Sequence, residues 1–457
     1  MSDIRAAIAG EPRDYTTGSV GRAILLLAVP MVLEMSMQSL FGVVDVYFVG
    51  RIGSDAVAVV GITDSLLALV FAVAIGLAMG TTAMVARRIG EGEPERASSA
   101  AVQAIALGLV CSVPLGLIGW LFAPELLEAM GASPEVAREG AIFTAIILGT
   151  NVTIMLLFLI NAVFRGAGDP ALAMRALWIA NLLNIALDPL LIFGWGPIPA
   201  MGLTGAAIAT AGSRAIGVVY QLVKLSDRRS RIRIDWRRVR VDPPVMIRLA
   251  RVSAIGILQY LISTASFLVL VRIVALAGDR ALAGYTIAVR VIIFILLPAW
   301  GMANAAATLV GQNLGARNPT RAERSVVLTS RCNAVFLGFV SLVLLVFGGP
   351  IVSIFTSEPE VVDIAASALR IISYSYVFWG FGVTSLMAFN GAGDTTTPTW
   401  VNFFVFWVCQ LPMAWYLTVP GGFGPQGVFI SITIAQLLLA IAGVWLFRIG
   451  SWKVRSI

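Results

Sequence analysis

The chain is 457 residues long, 58% hydrophobic and 12% charged, with a mean hydropathy of +0.90 and a net charge of +7. An ordinary soluble domain carries about 25% charged residues, so this composition excludes one and points to a protein that resides in lipid. There is no histidine, which excludes His-based proton relays and His-ligated metals, and neither lysine (Lys224, Lys453) stands in a P-loop, which excludes an ATP motor of that type.

Apolar stretches of about 20 residues, each able to cross about 30 Å of hydrocarbon as a helix, recur along the whole chain. Twelve spans are predicted, at 23–48, 57–86, 97–122, 140–164, 171–194, 203–223, 247–275, 282–311, 326–355, 364–388, 397–418 and 427–448. Helices are required because lipid offers no partner to an unpaired backbone group. The expected fold is therefore an all-α polytopic membrane protein with a polar N-terminal segment (1–22), a first lobe (23–224), a basic linker (225–245), a second lobe (246–449) and a short tail (450–457). Pro243-Pro244 stops any helix running on from the linker. The first residues are polar and charged, unlike a secretory signal.

Arginines mark the two sides of the membrane. Arg5, Arg13, Arg22, Arg87, Arg88, Arg96, Arg165 and Arg175 fall before the first span or in even-numbered loops. The run from Lys224 to Arg251 follows, then Arg317, Arg321, Arg324 and Arg331, and last Arg448, Lys453 and Arg455. Odd-numbered loops hold only Arg51, Arg138, Arg280 and Arg370. The positive-inside rule then places both termini and the linker in the cytoplasm. Between two spans, the basic run Arg228-Arg229-Ser230-Arg231 reads as this orientation signal, with no nucleic-acid partner.

Residues Phe164 to Asp169 and Phe389 to Asp394 repeat one pattern 225 residues apart. The same offset superimposes Gly53, Gly76, Gly90, Pro94, Arg96 and Pro134 on Gly278, Gly301, Gly315, Pro319, Arg321 and Pro359. Such a long period is the internal symmetry of many secondary transporters. Six spans per repeat bring the second half in from the same side, so two six-helix lobes are related by a pseudo-two-fold axis along the membrane normal.

Polar residues inside the spans carry the functional signal. Glu34, Gln38 and Asp45 lie within about 40° on one face of the first span, and Asn181, Asn184 and Asp188 within about 60° on the fifth. Burial favours neutralisation of such carboxylates, by a proton or a bound cation. Pro189 cannot donate to the carbonyl of Ile185, which leaves an oxygen of the kind that suits hard cations. Packing accounts remain for each residue singly: Asp45 beside Arg51, Asp188-Pro189 as a kink, Glu34 and the asparagines as interhelical contacts. In the second lobe the six positions become Gln259, Ser263, Leu270, Phe406, Cys409 and Met413, so ionisable chemistry belongs to the first lobe. Arg165 and Asp169 read as parts of a turn, with Asp169 an N-cap before Pro170. Arg214, Arg272 and Arg290 are read as the membrane-embedded arginines, too few and too scattered for the pyrophosphate that a lipid-linked sugar flippase would carry. Cys111, Cys332 and Cys409 read as packed thiols, and no catalytic triad can be assembled, so no enzyme is expected.

Four motifs in order resemble the multidrug and toxic compound extrusion (MATE) transporters. They are Pro30…Gln38…Asp45, the run from Asn161 to Asp169, Asn184…Asp188-Pro189, and Ala303…Gly311-Gln312-Asn313-Leu314-Gly315-Ala316. The resemblance covers residues 15–450. It implies a monomeric antiporter of a prokaryotic inner membrane that exports organic cations by alternating access against protons or sodium ions, with no further cofactor. The chain is more similar to the DinF-like branch, whose cavity residues match Gln38, Asp45, Asn161, Asn184 and Asp188. A threonine of that cluster matches Thr210, with Thr204 as the alternative. A sodium ion would then sit at Asp45, Asn184, Asp188 and Thr210, and Pro30 matches a proline linked to bending. The acids that the NorM branch carries in spans 7 and 10 are absent near Ser263 and Trp379. Glu34 matches nothing in the family pattern.

Overall fold

The computed structural model describes residues 2–10, 14–227, 230–236 and 240–455. Arg13, Arg228 and Arg229, with Arg237 and Arg238 of the linker, lie outside them. Helices α1 (Ser2–Ala9), α2 (Val20–Gly50), α3 (Ser54–Gly90), α4 (Pro94–Leu121), α5 (Ala123–Ala129), α6 (Pro134–Gly149), α7 (Asn151–Ala167), α8 (Pro170–Ile192) and α9 (Gly202–Ser226) build the first lobe. Helices α10 (Pro243–Ala275), α11 (Asp279–Gly315), α12 (Pro319–Ser353), α13 (Pro359–Ser373), α14 (Tyr376–Gly391), α15 (Thr396–Asn402), α16 (Leu411–Thr418) and α17 (Pro425–Ile449) build the second. Among the described residues, eleven spans are long and apolar enough to cross a membrane unbroken, and α13 with α14, bent by 58°, makes a twelfth.

The punctuation is local chemistry. Proline occupies the first helical position of α4, α6, α8, α10, α12, α13 and α17, where its missing N–H costs nothing. Ser133, Asp242 and Asn318 cap α6, α10 and α12 by accepting from the backbone N–H three residues on, at 3.4, 3.2 and 3.0 Å. Gly168, in the left-handed region at φ +85°, ends α7. Asp169 does sit at the N-cap of α8, but its side chain makes no capping bond.

The duplication is structural as well as sequential. Helices α3 and α11 are each 37 residues long and start 225 residues apart. Gly168 and Gly393 share one left-handed turn, at φ +85° and +83°. Thr150 and Ser375 mark the same break in both lobes, with hydroxyls donating back to Ile146 O and Ile372 O at 2.7 Å, a contact that bends helices. The lobes differ where the polar residues differ. Phe403–Gln410 is a π-helical stretch, whereas its counterpart 178–185 lies in the regular helix α8.

Small residues let the lobes approach closely, as membrane helices require. A Cβ on Gly76 of α3 would stand 2.5 Å from Ile257 N of α10, and one on Gly301 of α11 would stand 2.6 Å from Met31 O of α2. At the arginine-rich end, a Cβ on Gly90 would lie 1.9 Å from Gln312 O, and one on Gly315 2.3 Å from Arg87 O. Gln312 Nε2 also donates to Gly166 O at 2.9 Å, so this end is shut.

Two segments expected to be plain polar connections are anchored. Arg175 donates to Ile8 O and Ala9 O at 2.7 and 2.9 Å, docking α1 against α8. Arg321 of α12 donates to Tyr15 O, Thr17 O and Gly18 O at 3.2, 2.6 and 2.7 Å, which ties the N-terminal segment to the opposite lobe. In the linker, Ile232 and Ile234 are buried among Leu225, Ala101 and Leu249.

Candidate functional site

Between the lobes lies a chamber of about 280 Å³. The first lobe lines it with Glu34 and Gln38 of α2 and with Asn161 and Arg165 of α7. The second lobe adds Tyr260 of α10, Trp300 and Asn304 of α11, and Met387 and Asn390 of α14. Met35, Met79 and Phe158 make the wall apolar but compliant, since methionine adapts to varied shapes.

Glu34 is buried at the chamber wall. Its Oε1 accepts from Asn161 Nδ2 at 3.1 Å and from Arg165 Nη1 at 3.3 Å. Gln221 of α9 stands behind and donates from Nε2 to Asn161 Oδ1 at 2.7 Å and to Leu157 O at 3.1 Å. The acid that no family pattern assigned is thus an ionic partner of α7. Arg165 does not merely shape a turn: with its side chain 12% exposed it lines the chamber from within the span Pro134–Ala167. Among the described residues it is the one arginine lining the chamber, and it is paired with Glu34, so the wall is not the basic surface that a pyrophosphate would need.

A second cluster lies nearer the other end of the bundle. Asn184 Nδ2 donates to Asp188 Oδ1 and to Thr210 Oγ1, both at 3.2 Å, which ties α8 to α9. Thr210, buried, makes this contact; Thr204 is half-buried and makes none of these bonds. Asp188 Oδ2 and Asn184 Oδ1 find no hydrogen-bond partner among the described residues. Asp45 of α2 is half-buried and within electrostatic range of Asp188 and of Arg214 on α9. Asp64 of α3, exposed, feels both Asp45 and Arg214. These acids share a neighbourhood without converging on one point, since no three of them form a metal-holding group among the described residues.

The polar stripe of α2 therefore divides. Glu34 and Gln38 face the chamber with Asn161, whereas Asp45 lies within electrostatic range of Asp188 in the second cluster. Asn181 is buried with its Nδ2 unpartnered and belongs to neither hydrogen-bond network. Pro30 is buried inside an unbroken α2, and one turn on, Trp178 Nε1 donates to Leu33 O at 3.2 Å. Asp64, Arg214 and Gln221 were missed as functional residues. An acid within the apolar span 57–86 was a sufficient signal for Asp64; nothing in the sequence joins Gln221 to Asn161.

In the turn before α8, burial pushes the Asp169 carboxyl up to about 6, against the pull of Arg175, Arg231 and Lys224. Its Oδ1 has no hydrogen-bond partner among the described residues.

Comparison with known proteins agrees with this architecture. The chain is 26% identical over 444 residues to a probable multidrug resistance protein NorM of Thermotoga maritima, covering 96% of this chain and 94% of that one. It is 25% identical over 435 residues to an FAD transporter of Shewanella oneidensis, covering 93% and 94%. A solved outward-facing multidrug resistance MATE family transporter superimposes with a TM-score of 0.90 at 27% identity, over 96% of this chain and 98% of that one. The MatE family profile matches twice, over residues 30–190 and again over 256–416, once in each lobe. With most of both lobes matched, the chain belongs to the MatE family of membrane transporters, and it is not an enzyme.

Proposed function

We propose that this protein is a secondary antiporter that exports organic cations in exchange for protons or sodium ions, working by alternating access between its lobes. The observation that carries the reading is the Asp188–Asn184–Thr210 network, with two unpartnered buried oxygens and Asp45 within electrostatic range. No acid occupies the equivalent positions of the second lobe. That asymmetry also supports a DinF-like branch within the family. The shut arginine-rich end and the likeness to an outward-facing transporter support an outward-facing state. Arginine placement supports cytoplasmic termini in a prokaryotic inner membrane, with the protein acting as a monomer.

In this state a proton or sodium ion entering from outside neutralises the cluster. A cation held by the negative potential of the first lobe then loses its attraction and leaves. The ion-loaded protein turns inward about the linker of 225–245, releases its ion to the cytoplasm, and the recharged carboxylates attract the next cation. Coupling needs only different affinities in the two states.

Efflux of a fluorescent cation from membrane vesicles tests this, with Asp45→Asn and Asp188→Asn beside the wild type under a proton gradient and then a sodium gradient. Both variants should lose gradient-driven efflux at normal membrane levels, and the gradient that works in the wild type names the ion. Undiminished efflux in both variants would overturn the assignment of the coupling site.

A further inference from the structure

The carboxylate of Glu34 is half satisfied. Both of its hydrogen bonds fall on Oε1, while Oε2 is buried without a partner among the described residues. The side chain is 2% exposed and lines the chamber. Its surroundings are fixed: Gln221 holds Asn161 from behind at 2.7 Å, so the asparagine amide is committed to Oε1. Arg165 makes one contact of 3.3 Å and not the two-pronged fork that would use both oxygens. Across the chamber, Asn390 of the second lobe is 3% exposed and also has an unpartnered acceptor, Oδ1.

We propose that Glu34 Oε2 is the docking atom for a protonated nitrogen of the exported cation, so that the chamber selects cations bearing N–H donors over quaternary cations of similar shape. The inference rests on reading the chamber as the compartment of the transported cation. A buried acceptor left unpaired carries a desolvation penalty, and a charged N–H donor removes that penalty while adding a charge-assisted bond. A quaternary cation supplies the charge but no donor, and leaves Oε2 as it is. The methionine and aromatic wall tolerates many shapes, so discrimination falls to Glu34, with Asn390 available to a second donor at the far side. Protonated amines, amidines and guanidines meet this description. The repeat equivalent of Glu34 is the neutral Gln259, so the second lobe offers no competing carboxylate.

The test is fluorescence titration of the purified protein in nanodiscs, without any ion gradient. The probes are proflavine, whose amino groups and ring carry N–H donors, and its fully N-methylated counterpart, which has none. The wild type should bind proflavine about tenfold or more tightly than the methylated dye, the size expected for one charge-assisted hydrogen bond. In Glu34→Gln and in Glu34→Asp, which keeps the charge but withdraws the oxygens, the ratio should fall toward one. That change of ratio is something a merely structural role would not produce. If Glu34→Gln fails to fold, Glu34→Asp carries the comparison, and a wild type with no preference overturns the proposal whatever the variants do. Equal binding of the two dyes by the wild type, or an unchanged ratio in a folded variant, overturns the selection of N–H donors and leaves the antiport reading to the efflux assay. Binding of neither dye overturns both.

Discussion

Gly90 of α3 and Gln312 of α11 meet backbone to backbone across the two lobes, so close that a Cβ on Gly90 would lie 1.9 Å from the Gln312 carbonyl oxygen. Within the second lobe, Gly391 of α14 packs almost as closely on Ala307 of α11, where a Cβ would lie 2.2 Å from the carbonyl oxygen. Glycine here permits the shut arginine-rich end. Gly90→Ala should drive the lobes apart at that end at a cost of about 1–3 kcal/mol to the shut state. A cysteine placed at the buried Ala86, in a background lacking Cys111, Cys332 and Cys409, should then react with a thiol reagent about tenfold faster. Unchanged labelling would show that the contact does not control access.

Arg214 lies within electrostatic range of both Asp45 and Asp64. Arg214→Gln leaves those acids uncompensated and should lower the midpoint of thermal unfolding. Adding Asp64→Asn should recover part of the loss. The expected coupling is about 0.5 kcal/mol, the low end of the usual range for interacting charges. Additive effects in the double-mutant cycle would show that the two charges do not interact.

Arg317, at φ +57°, is the one non-glycine residue in the left-handed region among the described residues. Its repeat equivalent is Gly92, at φ +77°, so the turn between α11 and α12 keeps the geometry of its sister but has lost the residue that adopts it freely. Arg317 is also exposed, so little burial is lost with its side chain. Arg317→Gly should therefore stabilise the protein by about 1 kcal/mol, offset in part by the added freedom of the unfolded chain. Thermal or denaturant unfolding in detergent reads the sign directly, and a loss of stability would mean that the arginine makes a compensating contact.

Asp169 gives the stability of the fold a pH dependence. Its folded carboxyl titrates near 6, above the unfolded value of 3.8, so the folded state binds the proton more tightly. Stability linked to this group is greatest in acid, declines as pH rises between those two values, and is flat above them. Asp169→Asn removes the decline. The difference in unfolding midpoint, variant minus wild type, should grow across about pH 4 to 6.5 and then level off. A difference that is constant with pH would show that the buried carboxyl has no such role.

Much of the architecture is local and therefore legible in the residues alone. Twelve apolar stretches, prolines at helix starts and a ladder of identical spacings determine spans and duplication, because lipid forces every backbone group into helical pairing. Asn184 and Asp188 could be joined in advance, since four residues along a helix are about 6 Å, one turn on the same face. Glu34 and Asp45 show where that logic stops. They share a face of α2, but eleven residues separate them by about 16 Å along the axis, too far for one site. Asp64 forms no stripe, because it has no second acid on its face of α3.

Only the packing of helices decided the rest. Glu34 meets Asn161 across 127 residues of sequence, and Gln221 reaches Asn161 across 60. Those partners depend on how α2, α7 and α9 cross, and crossing is set by small-residue contacts and the depth of each helix in the bundle. Hydropathy and periodicity report which face of a helix is polar. Which polar face meets which, at what depth, is a property of the assembled lobes.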